Sequence, residues 1–350
     1  MVWTGENPYF STDWINGHHL NGVTWIPNSK FVYPLPLTLF YAPLGILPYF
    51  EAYIIYVFLL EVMLLLSTYW LIHQLPENKV NPYLLPVFAG VILFRPIFSA
   101  LFGGQISIAL LFIMTIITIL WSKNKWFLGS VLLPIVALKP NIGVPIVLVL
   151  SSWFILKKNI KVLSGLIVSS FLLLGIGFFQ NPHWISEYWN IGNTKLSQNF
   201  GLSPTIWGLA SILTDFNPQV TLKIGVILTI LILIFTGLIL FKVRKFASST
   251  WIISIAITTS LLLTPYTWSY DQVLLIIPIL WLISYLIKIN KPFLLNATVF
   301  LLIDFFALFL LYISAQMKME IINFLLPLVI WLGLIFALLD SKKRMDTLVL

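Results

Sequence analysis

Three charged residues lie beside apolar stretches of this chain, where a charge is costly. Arg95 is near one end of an apolar run, Lys139 marks a break between two runs, and Asp271 opens another. A charge at membrane depth is expensive unless it is paired or hydrated, so each is a candidate site residue. Arg and Lys both donate charge-assisted hydrogen bonds to phosphate oxygens. Lys139 and Arg95 are therefore predicted to bind a lipid phosphate, with snorkelling to the headgroups as the alternative.

Asp271 and several polar or aromatic residues offer groups that could contact a sugar. The carboxylate of Asp271 either accepts a proton or a sugar hydroxyl, or it only caps the helix that follows. Gln105 follows two glycines and supplies both a donor and an acceptor. Exposed aromatic rings suit the faces of sugar rings. The predicted sugar or acceptor contacts are Gln105, Trp268, Tyr270 and Trp207.

The sequence shows no pattern of metal ligands. The chain has no cysteine, and His18 and His19 are adjacent and lack a matching set of carboxylates. Neither a metal nor a cofactor is predicted. Glu61 and Asp304 lie in the middle of apolar runs, where we expect them to form interhelical hydrogen bonds rather than to do chemistry.

The elements that must position these residues are membrane helices. Hydrophobic residues make up 59% of the chain, charged residues make up 9%, and the mean hydropathy is +0.98. A soluble domain of this size could not bury so much apolar surface. The composition predicts an all-α polytopic membrane protein with about eleven transmembrane passes. The apolar runs are 52–74, 84–98, 105–121, 126–138, 141–156, 161–179, 223–241, 249–264, 272–287, 292–314 and 321–339.

Basic residues recur in every second loop between the apolar runs. By the positive-inside rule these loops are cytoplasmic, which places the C-terminus inside and the polar segments 1–50 and 180–222 outside. The formal charge of +8 is thus a topology signal and does not indicate nucleic-acid binding. We expect an integral protein of the plasma membrane that works on its exoplasmic face. Fourteen of the twenty basic residues lie in these loops: Lys79, Lys123, Lys125, Lys157, Lys158, Lys161, Lys242, Arg244, Lys245, Lys288, Lys291, Lys342, Lys343 and Arg344.

This topology divides the chain into four parts. Residues 1–50 form the first exoplasmic loop, in which prolines between positions 34 and 48 favour short interfacial or re-entrant helices over a span. Residues 51–179 form an N-terminal transmembrane bundle and 223–350 a C-terminal one. Between them, 180–222 is an exoplasmic loop with a short helix.

The short helix is predicted from one local motif. In Ser203-Pro204-Thr205, Ser203 is expected to be the N-cap and Pro204 the first helical residue. The alternative is a plain connecting loop with one helical turn.

The beginning of the chain is polar. Met1 leads directly into Val2-Trp3-Thr4, without the basic region and apolar core of a signal peptide. Because the topology places this segment outside, we expect that an earlier span precedes it in the complete protein. The alternative is that a short N-terminus is translocated after insertion.

A set of short motifs resembles a known family. The chain is similar to the polytopic, polyprenol-phosphate-dependent glycosyltransferases of family 87, which have the GT-C fold. The motifs are in the order found in that family and run from residue 5 to about residue 290. They are Gly5-Glu6-Asn7-Pro8-Tyr9, Tyr33-Pro34, Ala42-Pro43-Leu44 with Leu47-Pro48, Gly104-Gln105, Leu138-Lys139-Pro140, Ser203-Pro204-Thr205, and Thr264-Pro265 with Trp268 and Tyr270-Asp271.

The resemblance implies a hexosyltransferase with its site on the exoplasmic face. The expected donor is a polyprenyl-phosphate sugar, with mannose as the expected hexose, and the expected acceptor is a lipid or a glycan. Membrane lipids are expected partners and nucleic acids are not. In the reaction a carboxylate would deprotonate the acceptor hydroxyl, and direct displacement would invert the anomeric centre.

Two departures from the family concern the catalytic residues. The family's proposed base is an aspartate just upstream of the motif that begins at Gly5, and this chain does not contain that stretch. Asp13 and Glu6 are therefore predicted as substitutes, and Asp271 is a third candidate. Many members also carry histidines after the Pro-x-x-Trp element, where this chain has Tyr270 and Asp271.

Two other functions remain open from the sequence. A flippase for lipid-linked sugars would need a polar path that continues to the cytoplasmic side through Glu61 and Asp304. An inactive, truncated transferase is the other alternative.

Overall fold

A computed structural model describes residues 6–20, 22–23, 31–76, 80–199 and 201–348. Gly5 of the N-terminal motif and Lys79 lie outside these ranges. Within them the chain is helical, with short 3₁₀ helices at Leu35–Leu37, Ala42–Ile46, Ser269–Leu275 and Ile321–Phe324. The α-helices are α1 (Ser11–Leu20), α2 (Thr38–Tyr41), α3 (Tyr49–Ile72), α4 (Val80–Leu93), α5 (Arg95–Phe102), α6 (Ser107–Ser122), α7 (Trp126–Val131), α8 (Leu133–Val136), α9 (Pro140–Leu156), α10 (Ile160–Gln180), α11 (Trp184–Asn199), α12 (Ile206–Leu213), α13 (Pro218–Val243), α14 (Ser249–Leu263), α15 (Ile276–Lys288), α16 (Phe293–Met317) and α17 (Leu325–Leu348).

In the described part of the chain, six helical stretches are long and apolar enough to cross a membrane. A seventh is formed if Pro82–Leu93 and Arg95–Phe102, which meet at a 57° bend, count as one broken span. The remaining predicted passes coincide with α6, α7 with α8, α9 and α14, which are shorter apolar helices. A 16-residue helix is only about 24 Å long, less than the apolar thickness of a bilayer. The polytopic helical architecture is thus confirmed, but eleven passes are not.

Helix α14 is the centre of the bundle. Every residue from Trp251 to Leu263 is buried, and the helix packs against α6, α9, α15 and α17. Its hydroxyl groups bond both within the helix and to its neighbours: Thr258 donates to the Ser254 carbonyl at 2.9 Å, and Ser260 donates to the Ile142 carbonyl of α9 at 2.6 Å. The Trp331 indole of α17 donates to the Thr259 hydroxyl at 3.1 Å. This central helix fixes the relative positions of the surrounding helix ends.

The break that carries Lys139 depends on a glycine. A Cβ atom at Gly143 would lie 1.9 Å from the carbonyl oxygen of Val136 and 2.4 Å from its carbonyl carbon. Backbone atoms cannot rotate away as a side chain can. Gly143 is therefore required for α9 to pack against the end of α8, and this contact places Lys139 at the start of α9.

Gly143→Ala should accordingly destabilise the protein by about 1–3 kcal/mol or more, as overpacking does. Gly175→Ala in α10 is the matched control, since nothing lies within 4 Å of a Cβ at that position. Removing a glycine from an open helical site should leave stability unchanged or raise it slightly. Thermal unfolding in detergent would compare the two variants, and an equal melting temperature for both would contradict the packing argument.

The predicted start of the helix at 203–205 is wrong by two residues. Helix α12 begins at Ile206, and its N-cap is Thr205, whose hydroxyl accepts the Trp207 amide at 3.1 Å. A residue before proline is biased away from the helical region. Thr205, which follows Pro204, still has an extended backbone conformation, so the helix begins only at Ile206. The Ser203 hydroxyl instead accepts the Thr267 amide at 3.2 Å. Residues 180–222 also contain α11, which the sequence did not predict.

The prediction for the two carboxylates in the middle of apolar runs is also corrected. Both carboxylate oxygens of Asp304 are buried in α16 without a hydrogen-bond partner among the described residues, so the expected interhelical bond is not made. Glu61 lies on the exposed side of α3. The two residues therefore do not form a polar path in this structure.

Candidate active site

Four elements that are distant in sequence meet at one end of the bundle. Ser107 is the first residue of α6, and Lys139 is the N-cap of α9. Thr267 lies just beyond the end of α14, and Asp271 belongs to the 3₁₀ helix Ser269–Leu275. Because each side chain sits at a helix terminus, all four reach the same place without interrupting a helix.

These side chains form a buried polar network. Lys139 Nζ makes an ion pair with Asp271 Oδ1 and donates to Ser107 Oγ at 2.8 Å. The Ser107 hydroxyl donates to Asp271 Oδ1, and the Thr267 hydroxyl donates to Asp271 Oδ2 at 2.7 Å. Lys139 is 3% exposed and Asp271 is 0% exposed. A dry ion pair persists only when hydrogen bonds satisfy its other polar atoms, and this network supplies them.

Of the two roles left open for Asp271 from the sequence, the structure shows the capping contact. Its Oδ2 accepts the backbone N–H of Trp268 at 3.3 Å, which is a capping contact at the start of the 3₁₀ helix. It also balances the charge of Lys139. With both oxygens already accepting hydrogen bonds, its carboxylate has little capacity left to take a proton from a substrate. The geometry makes Asp271 a residue that holds Lys139 and residues 267–268 in place.

Aromatic residues surround this network. The Tyr270 ring centroid lies 5.0 Å from Lys139 Nζ, within the range of a cation–π contact. The Trp268 indole donates to the Tyr266 hydroxyl at 2.8 Å, and Asn141 Nδ2 donates to the Tyr266 carbonyl at 2.8 Å. Burial and then the charge of Asp271 raise the pKa of Tyr33 to about 12, so this hydroxyl stays protonated at neutral pH. The aromatic residues around the network therefore present uncharged hydroxyl groups and ring faces.

A second group of carboxylates lies in the N-terminal segment and α11. The Asn7 backbone N–H donates to Asp13 Oδ2 at 3.0 Å, and its side-chain amide donates to Glu187 Oε2 at 2.8 Å. Asn181 donates to the same Glu187 oxygen at 2.7 Å. Glu6, which is half-buried, precedes Asn7 directly. Glu187 was not among the residues predicted from the sequence, because only the fold brings it to Asn7.

Tyr9 connects this second group to the first. Its hydroxyl donates to the carbonyl oxygen of Tyr33 at 2.7 Å, and its ring packs with Leu35 and Trp184. Burial raises the pKa of Tyr9 well above its ordinary value, so its hydroxyl remains a donor. The N-terminal segment is thereby anchored beside the Lys139–Asp271 network.

Arg95 lies in a separate cavity that adjoins the network. This cavity of about 340 Å³ is lined by Arg95, Trp268, Ser314, Lys318 and Glu320, among others. The Glu320 carboxylate accepts the backbone N–H of Ser269 at 3.0 Å. Lys139 and Arg95 were predicted to hold one phosphate together, but Lys139 contacts Asp271 whereas Arg95 faces this cavity.

Two predicted sugar contacts have other roles in the structure. Trp207 is buried, its indole donates to the Leu263 carbonyl at 2.8 Å, and its ring covers Gly225. The ring thus packs within the bundle in this structure, and its contact with a sugar stays a prediction. Gln105 is half-buried and donates to the Gly103 carbonyl at 3.1 Å, within the turn between α5 and α6. Trp268 is the predicted aromatic contact that lines the cavity.

Among the residues that the structure describes, no three His, Asp or Glu side chains are grouped closely enough to hold a metal ion. The Nδ1 of His18 donates to the Trp14 carbonyl at 2.7 Å.

Comparison with known proteins identifies the family. The profile of glycosyltransferase family 87 matches residues 31–265, which is more than half of the chain. The matched range includes Tyr33, Ser107 and Lys139 and ends just before residues 267–271 of the network. No curated protein and no solved structure matches the chain. The resemblance inferred from the short motifs is thus confirmed, and the chain belongs to glycosyltransferase family 87.

Proposed function

We propose that this membrane glycosyltransferase moves a hexose, most simply mannose, from a polyprenyl phosphate to a hydroxyl group of a lipid or glycan acceptor. One observation carries the proposal. The cavity of Arg95, Trp268 and Glu320 combines a cation, an aromatic face and a carboxylate beside the buried Lys139–Asp271 pair. Its volume of about 340 Å³ is in the range of small-ligand sites.

The proposed site faces the exoplasm. The helices that meet there have their other ends beside basic loops. Helix α6 ends before Lys123, α9 ends before Lys157, α14 begins after Lys245, and α15 ends at Lys288. By the positive-inside rule those ends are cytoplasmic, so the cavity lies on the opposite face of the plasma membrane and the C-terminus is inside.

Arg95 is the proposed ligand of the donor phosphate. Its guanidinium can form paired hydrogen bonds to phosphate oxygens, and Lys318 lines the same cavity as a second cation. Both would stabilise the charge that grows on the phosphate as the sugar–phosphate bond breaks. Trp268 would lie against the sugar ring. Lys139 would act indirectly, by holding residues 267–271 in position through Asp271.

Glu320 is the proposed general base. It lines the same cavity as Arg95, and only one of its oxygens is used by the Ser269 amide. Its carboxylate would take the proton of the acceptor hydroxyl while that oxygen attacks the anomeric carbon. The bond from the anomeric carbon to the phosphate oxygen breaks, polyprenyl phosphate leaves, and the anomeric configuration inverts. Asp13 and Glu6, predicted from the sequence, and the newly found Glu187 are the carboxylates to compare with it.

The direct test is an assay of the purified full chain in lipid nanodiscs. Polyprenyl-phosphate mannose, polyprenyl-phosphate glucose and a nucleotide-linked mannose would each be offered with a total membrane-lipid extract as acceptor. We expect labelled sugar to appear in a new glycolipid or glycan only from a lipid-phosphate donor. Transfer from the nucleotide sugar alone would overturn the proposal, as would movement of the lipid-linked sugar across the membrane without a glycosidic product.

Arg95→Ala should raise the KM for the lipid-phosphate donor about 10- to 100-fold, because one charge-assisted hydrogen-bonding group is worth about 1.5–3 kcal/mol. Arg95→Lys should recover part of this loss, since a lysine keeps the charge but not the paired geometry. Lys223→Ala is the control, because it removes an exposed cation at the start of α13. Steady-state kinetics with varied donor would measure the effect, and an unchanged KM in Arg95→Ala would exclude Arg95 as the phosphate ligand.

A further inference from the structure

At the end of the bundle opposite the candidate active site, we propose a binding site for the headgroup of an anionic phospholipid. The site is a cavity of about 640 Å³ where three loops meet. These loops join α6 to α7, α9 to α10, and α13 to α14. The inference does not depend on the sugar-transfer function.

The floor of this cavity is aromatic. Trp126, Trp153 and Phe154 line it, and the rings of Trp126 and Phe154 are 5.8 Å apart at their centroids. The ammonium group of Lys157 lies 5.3 Å from the Trp153 ring centroid. A tryptophan-lined floor beneath lysines is the arrangement expected at the headgroup level of a bilayer.

All charges on the three loops have the same sign. No acidic residue occurs in 122–126, 157–161 or 242–249. Eight basic residues lie in or beside the cavity loops: Lys123, Lys125, Lys157, Lys158, Lys161, Lys242, Arg244 and Lys245. A cavity with this field attracts anions, and basic pockets between membrane helices on the cytoplasmic side bind anionic lipid headgroups.

Two helix dipoles add to this charge. Helix α10 begins at Ile160 and α14 begins at Ser249, and both residues line the cavity. The first N–H groups of a helix and its dipole favour an anion at that position. The Asn159 side chain caps the Val162 amide and the Ser248 side chain caps the Trp251 amide, so the contribution of these two helix starts is the positive end of each helix dipole beside the lysines.

Apolar surface next to the lysines distinguishes a lipid from a free anion. Ile155, Leu156 and Ile160 flank the lysine loop, and they are 60%, 46% and 76% exposed. These side chains provide a surface for acyl chains directly below the cations. A lipid with a phosphate headgroup and acyl chains fits both the cationic cavity and this apolar surface.

Lys158 has an unfavourable backbone conformation for a lysine. It has a φ of 53°, in the left-handed region, which glycine and asparagine adopt more readily at the end of a helix. At the corresponding positions after α6 and α15 the chain has Asn124 and Asn290. Lys158→Asn should therefore keep or raise the stability of the lipid-free protein while it weakens the response to lipid.

The test uses the full chain in mild detergent and follows its melting temperature. Dioleoyl phosphatidylglycerol, dioleoyl phosphatidylcholine and inorganic phosphate are added separately. We expect phosphatidylglycerol alone to raise the melting temperature of the wild type. Lys157→Gln/Lys161→Gln and Lys158→Asn should each lose at least half of that rise, because the stabilisation by a ligand falls as its dissociation constant approaches or exceeds the ligand concentration.

Lys288→Gln/Lys291→Gln is the matched control, since it removes two charges from another basic loop at the same end of the bundle. This control should keep the full response. An equal loss in the control would reveal a diffuse surface effect and overturn the site. An equal rise with phosphatidylcholine would show that anionic headgroups are not selected, and an equal rise with inorganic phosphate would assign the cavity to free phosphate; either result would overturn the lipid proposal.

Discussion

Lys139→Met is expected to lower the free energy of unfolding by about 3–5 kcal/mol. Methionine keeps the unbranched shape of the lysine stem, but the carboxylate of Asp271 would remain buried with no counter-charge. The hydrogen bonds from Ser107 and Thr267 cannot replace the lost cation. Thermal and chemical unfolding of the purified protein in detergent would measure the change as a lower melting temperature and a lower unfolding midpoint.

A double variant distinguishes the effect of the unpaired buried charge from the effect of the changed side-chain shape. Lys139→Met combined with Asp271→Asn removes both charges. The amide oxygen can still accept from Thr267 and the Trp268 amide, and the amide NH2 can donate to the Ser107 hydroxyl oxygen. Replacing both members of a buried ion pair is often nearly neutral for stability, so most of the lost stability should return. If the double variant were as unstable as Lys139→Met, uncompensated charge would not be the cause of the loss.

The activity of that double variant tests the positioning role. If the pair holds Trp268 at the cavity, the stable double variant should still transfer sugar more slowly, chiefly through a lower kcat. Full activity in a stable double variant would limit the Lys139–Asp271 pair to a structural role.

Glu320→Gln is expected to reduce kcat by about 10²- to 10⁴-fold, the usual contribution of a general base. Glutamine retains the size of the side chain and an oxygen that can accept the Ser269 amide. The melting temperature and the KM for the donor should therefore change little. Initial rates at saturating donor and acceptor would measure the effect.

Asp13→Asn and Glu187→Gln are the matched controls for Glu320. Both change a carboxylate to its amide in the group organised by Asn7, and both should leave more activity than Glu320→Gln does. A large loss of kcat in Asp13→Asn, with little loss in Glu320→Gln, would move the base to the N-terminal segment. That result would support the prediction from the sequence that Asp13 is the base.

Charged residues of the candidate site were recognisable in the sequence because charges are rare within or beside apolar membrane segments. Apolar runs flank Arg95, Lys139 and Asp271, whereas the same residues on the surface of a soluble protein would be ordinary. The contacts of these three residues could not be predicted from the sequence. Lys139 and Asp271 are 132 positions apart, and pairing them requires the ends of α9 and the 3₁₀ helix Ser269–Leu275 to meet.

Errors arose where local chemistry had more than one solution. Ser203 and Thr205 are both good N-caps, and the backbone around Pro204 decided in favour of Thr205. Trp207 looked like a residue of an external segment, but packing against Gly225 buried its ring. Asp304 was expected to find a partner on a neighbouring helix, and the packing of α16 gives it none among the described residues.

The sequence by itself determined the environment, the helical class, the family motifs and the alternation of basic loops, because each depends on composition or on residues that are close in the chain. Only the tertiary structure decided which polar groups share a site. It paired Lys139 with Asp271, separated Arg95 from Lys139, and brought Glu187 to Asn7. The physical reason is that helices can pack in many ways around the same apolar surface. The arrangement that pairs Lys139 with Asp271 is set by contacts between residues more than a hundred positions apart.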